Sequence, residues 1–82
     1  VAHSRYTLYI SRMETTTTIA QHVGARIATL RKRKGKTQAG LGKLVGCNRQ
    51  RICNYEAGRV LPRVDLLARI AAALGVSLDA IA

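Results

Sequence analysis

With 82 residues the chain amounts to one small domain, able to bury a modest core. Hydrophobic residues make up 48% of it without any Trp or Phe, and such small aliphatic side chains suit short, closely packed helices. A formal charge of +10 points to a polyanion partner, nucleic acid ahead of anionic membrane or acidic protein, and no apolar run is long enough to span a bilayer.

In chain order, residues 1–15 read as an N-terminal arm. "RYTLYI" alternates like a strand but has no partner strand, and "METTTT" from Met13 looks like a translation start. The arm is therefore read as vector-derived or disordered. The alternative is an arm that pairs with its symmetry mate or lies on a partner. No apolar h-region or small-residue cleavage site follows, so it is not a signal peptide.

Residues 16–82 form the domain proper, and the pattern there turns helical. Ile19, Val23, Ile27 and Leu30 mark one face of a first helix ending near Lys34, capped by a threonine of the 15–18 run and closed by Gly35. Thr37 caps a second, shorter helix with Leu41, Leu44 and Val45 facing inward. Gly46 ends it, because glycine takes the left-handed conformation without strain. Asn48 caps a third helix to about Glu56, with Ile52 and Tyr55 on the buried side and Gly58 at its close. Pro62 punctuates a loop before the fourth helix, roughly Val64 to Leu74, where Leu66, Leu67, Ile70, Ala71 and Leu74 form a wide apolar stripe. Gly75 stops it, and Ser77 caps a last turn with Leu78 and Ile81. The expected fold class is all-α, five helices and no sheet.

Few residues suggest chemistry. Cys47 and Cys53, six positions apart, fit neither C-x-x-C metal spacing nor a disulfide, and read as small reduced packing residues of a cytoplasmic protein. The sharper alternative is a redox switch, since Cys47 precedes a helix start, where the dipole lowers a thiol pKa. His3 and His22 have no acids or cysteines grouped around them in sequence. No nucleophile–base set or phosphate-binding glycine loop appears. The expectation is no enzyme, no metal and no cofactor.

The Gly46 turn gives the second and third helices helix-turn-helix spacing. Here "TQAGLGKLVGCNRQRICNYEAG" (37–58), followed by "LARIAAALGVSLDAI" (67–81), resembles the phage-repressor and Cro-like helix-turn-helix regulators, the Xre family. The resemblance covers about residues 19–82. It implies a five-helix lambda-repressor-like domain that binds double-stranded DNA as a homodimer, most often as a transcriptional repressor. It also implies that Gln38 holds a DNA phosphate at the start of the second helix. Asn48, Arg49, Gln50 and Asn54 match the recognition-helix positions that face the major groove. Arg31 and Glu56 match a pair that in several members forms a partly buried salt bridge. This chain departs from the pattern at Gly42, where alanine is usual, at Gly40, where an acid is usual, and at Arg63, where a Ser or Asp often caps the fourth helix. Gly42 is expected at the closest approach of the two helices, where it fits sterically but costs up to about 1 kcal/mol of helix propensity.

The residues themselves agree. Between positions 15 and 64 the only acid is Glu56, and a lone carboxylate in so basic a segment serves better as an internal partner of Arg31 than on a surface facing DNA. The basic run from Arg31 to Lys36 is in part a solvated helix end favoured by the dipole. Lys36, with Lys43, Arg51 and Arg59, is expected to meet phosphate. Arginine suits guanine, and glutamine or asparagine suits adenine, because each pairing can be bidentate. Val76, Leu78 and Ile81, apolar near the chain end, are expected to form the dimer contact.

Two other classes compete with a DNA-binding regulator. One is an antitoxin-type module that blocks a protein partner and autoregulates through its helix-turn-helix, with a restriction–modification controller protein as a relative of the same size. The other is a basic amphipathic binder of membranes or RNA. Short capped helices and glycine turns build a compact domain rather than one long basic helix, which argues against the latter.

Overall fold

The computed structural model describes residues 18–82, and the expectations for the arm lie outside the described residues. Five helices follow one another: α1 (Ile19–Arg33), α2 (Gln38–Val45), α3 (Arg49–Glu56), α4 (Val64–Leu74) and α5 (Leu78–Ile81). No strand occurs among the described residues.

The first three helices start on side-chain caps. Thr18 Oγ1 accepts from the Gln21 amide at 3.1 Å while Gln21 Oε1 accepts from the Thr18 amide at 3.0 Å, a reciprocal capping box. Thr37 Oγ1 accepts from the Gly40 amide at 2.9 Å, and Asn48 Oδ1 from the Arg51 amide at 2.9 Å. Gly46 closes α2 at φ +83°, turning the chain into α3 within a few residues.

The last two helices lack such caps. Arg63 occupies the N-cap of α4 and makes no side-chain cap bond, leaving Asp65 in the first turn to complement the dipole. Replacing Arg63 with Ser is expected to stabilise the domain by about 1 kcal/mol, read as a rise in urea midpoint at constant slope. An unchanged midpoint would show that α4 is held by packing alone. Ser77 was expected to cap α5 through its side chain. It sits at the N-cap, but its hydroxyl makes no cap bond, and the main-chain Ser77 oxygen accepts from the Ala80 amide at 3.0 Å instead.

The core is aliphatic and is fed by every helix. Val23 and Ile27 of α1, Leu41 of α2, Ile52 of α3, Ile70 and Leu74 of α4 and Ile81 of α5 are all fully buried. The α4 stripe is buried as the periodicity predicts. Two expectations fail. Leu44 does not face inward but is 60% exposed. Gly42 lies against the main chain of the α2–α3 turn, and a residue two positions later points about 200° away around the helix. Ile81, expected at a dimer contact, is 0% exposed within this single chain. α5 folds back on α1 and α4 and plugs the core with it.

Glycines set two helix–helix approaches. A Cβ on Gly24 of α1 would stand 2.2 Å from the Tyr55 carbonyl oxygen and 2.8 Å from that of Glu56. Only a glycine lets α1 lie directly on the end of α3. A Cβ on Gly42 would stand 2.6 Å from the Cys47 carbonyl oxygen, in keeping with the close approach expected at position 42. The alanine usual in the resembling family would need this turn to move.

Candidate functional site

The site is built on the α2–turn–α3 unit. Ile52 and Tyr55 are buried and seat α3 on the core, which turns the other side of the helix outward. Asn48, Arg49, Gln50 and Arg51 are exposed there, and Asn54 is half-buried. Gln50 and Asn54, four residues apart, share a face, with Gln50 Nε2 3.4 Å from Asn54 Oδ1. Arg59, beyond the end of α3, donates from Nη1 to the same Asn54 Oδ1 at 3.0 Å. Asn48 Oδ1 is committed to the cap, so this side chain offers a ligand only the donors of its amide nitrogen.

Arg51 stands apart from this row. Its Nη2 donates to the Tyr55 hydroxyl at 2.8 Å, and its guanidinium carbon lies 5.8 Å from the Tyr55 ring centroid. The bond to Tyr55 pushes the Arg51 guanidinium upward from its ordinary pKa. A cleft of about 180 Å³ runs beside it, lined by Cys47, Arg63, Asp65 and Arg69 among others. Lys43 is exposed and Lys36 half-buried.

Behind the row sits an ionic cluster. Arg31 donates from Nε to Glu56 Oε2 at 2.6 Å and from Nη2 to Glu56 Oε1 at 3.0 Å, with the two side chains only 11% and 7% exposed. Arg31 Nη1 also donates to the Lys36 carbonyl at 2.8 Å. The hydrogen bond to Glu56 pushes the Arg31 guanidinium up, more than burial pulls it down. Gln38, implied by the resemblance as a phosphate anchor, donates from Nε2 to Glu56 Oε1 at 3.0 Å. One hydrogen of that amide nitrogen remains available, and the helix N-terminus adds unpaired main-chain N–H groups. A single carboxylate thus holds the end of α1, the start of α2 and the end of α3, and its partner Arg31 holds the loop after α1.

Among the contacts that escaped the sequence, two shape the site most. The Gln38–Glu56 bond and the Arg59–Asn54 bond both join residues whose separation carries no periodic signal. The only hint was the scarcity of acceptors in so basic a chain. Cys47 and Cys53 are free and half-buried, and among the described residues no group of three His, Cys, Asp or Glu could hold a metal ion. No helix among those residues is long and apolar enough to cross a membrane.

Residues 22–82 match a family model described as a helix-turn-helix domain. Two crystal structures of the clp gene regulator ClgR from Corynebacterium glutamicum are similar to this chain. Both are 26% identical to it and cover 79% of it, with TM-scores of 0.78 and 0.76, and the match takes in 69% and 84% of their own chains. No curated protein sequence matches significantly.

Proposed function

The chain belongs to the helix-turn-helix domain family, and from that premise we propose that it is a sequence-specific, double-stranded DNA-binding transcriptional regulator, a dimeric repressor of the phage-repressor and Cro-like type. The observation that carries this reading is the outward polar row of exposed Arg49 and Gln50 with half-buried Asn54, on a helix whose opposite face is locked into the core. Such a helix can enter the major groove without disturbing the fold, and its side chains match the donor and acceptor patterns of base edges. The similarity to a clp gene regulator supports the same direction. With Ile81 buried, a dimer contact near the end of the chain falls to Leu78, which is 40% exposed, and the half-buried Val76. Recognition helices about 34 Å apart would then meet one turn of DNA.

Selection of bound duplexes from a random pool tests the reading directly. Enrichment of a palindrome supports it, whereas no enrichment favours the antitoxin-type alternative, in which a protein partner is the main ligand.

Reading and attraction separate on Arg49. Arg49→Ala is expected to weaken the selected site by about 1 to 3 kcal/mol, relax preference at one base pair and barely change binding to random DNA. Lys36→Ala and Lys43→Ala are expected to weaken both duplexes alike and flatten the salt dependence by about one unit each. Titrations at several salt concentrations decide the matter, and equal losses on both duplexes for Arg49→Ala would make it one more phosphate contact.

A further inference from the structure

We infer that Arg59 is a specificity-positioning residue, which fixes the orientation of the Asn54 amide so that Asn54 offers DNA donors only. The inference rests on the DNA-reading function proposed above and refines it at one base pair.

An asparagine amide can usually turn over, presenting either its oxygen or its nitrogen, and so pairs with adenine through both. Here that freedom is removed. The guanidinium of Arg59 has donors and no acceptor, so the Asn54 atom 3.0 Å from its Nη1 must be the oxygen. Turning the amide over would bring N–H against N–H. Gln50 Nε2 approaches the same oxygen from the other side, though at 3.4 Å this contact is weak.

Arg59 is itself well placed to do this. Its main-chain N–H donates to the Asn54 carbonyl at 3.1 Å, so backbone and side chain both return to one residue. The reversal depends on Gly58, at φ +76°, where a Cβ would also stand 2.6 Å from Gln21 Cγ of α1. The turn that aims Arg59 thus lies close against the first helix.

With Oδ1 occupied, Asn54 turns Nδ2 outward as a donor. Guanine, with acceptors at N7 and O6, is its best partner in the major groove. The two-bond pairing with adenine needs the amide oxygen and is lost, and cytosine offers only a donor. The sequence alone suggested adenine for asparagine; the Arg59 contact reverses that preference.

The test compares base preferences of the wild type, Arg59→Ala, Asn54→Ala and the double variant, each selected on the same random duplex pool with thermal melts confirming the fold. One position in the wild-type site is expected to favour guanine over adenine and to lose that preference in Asn54→Ala. In Arg59→Ala the same position should shift toward adenine by roughly 5-fold or more, the lower range for one bidentate pairing. In the Asn54→Ala background, removing Arg59 should alter no base preference. Arg59→Ala binding every sequence more weakly with an unchanged profile would overturn the inference and leave Arg59 a phosphate contact. A shift that persists without Asn54 would also overturn it. A wild type that enriches nothing would instead remove the DNA-reading function itself.

Discussion

Glu56→Ala is expected to destabilise the fold by about 3 kcal/mol, measured by urea denaturation. The carboxylate accepts two hydrogen bonds from Arg31 and one from Gln38, and its removal leaves the guanidinium charge buried without a counter-charge. Arg31→Ala should cost a similar amount, and a double-mutant cycle should return a coupling of at least about 1 kcal/mol. Replacing both with apolar residues of like volume, Arg31→Met with Glu56→Leu, should come closer to neutral, because the desolvation of both charges disappears with them. The Arg31 guanidinium is raised, so this side of the pair contributes fully below the ordinary arginine pKa and weakens only as pH climbs above it. A coupling near zero would show that both groups are simply solvated.

Gly24→Ala should be nearly as damaging, by about 2 kcal/mol or more. The gain in helix propensity, about 1 kcal/mol, acts against an overpacking cost near the top of its usual range of roughly 1 to 3 kcal/mol. The cost is high because the new methyl meets two backbone carbonyls, of Tyr55 and Glu56, rather than the flexible end of a side chain. α1 would have to withdraw from α3 and loosen the Arg31–Glu56 bonds with it. For a domain of this size the midpoint of thermal unfolding should fall by roughly 10 °C. A melt within about 2 °C of wild type would mean that the two helices separate freely.

Local chemistry was readable in the sequence, and so the helices were. Thr37 and Asn48 announce two helix starts because a cap needs only its own neighbours three residues on. The α4 stripe is wide enough to fix which face is buried. Leu44 is not legible as an outward residue because an eight-residue helix leaves room for more than one inward face, and contact between Gly42 and the next turn makes the choice. The burial of Ile81 and the demand for glycine at position 24 likewise depend on how distant segments meet. In the site, the positions of Arg49, Gln50 and Asn54 on α3 followed from counting along a helix. The Arg59–Asn54 hydrogen bond did not, since Arg59 reaches Asn54 only because Gly58 reverses the chain.

The shared carboxylate of Glu56 has a further consequence for association. Because it fastens α1, α2 and α3 at one point, the backbone that would meet DNA is already ordered before any encounter. The entropy lost on docking then falls on long surface side chains such as Arg49 and Lys43, at about 0.5 to 1.5 kcal/mol for each one immobilised, and not on the hinge of the motif. Preorganisation of this kind leaves recognition to whichever side chains find partners, with the scaffold neutral between one sequence and another.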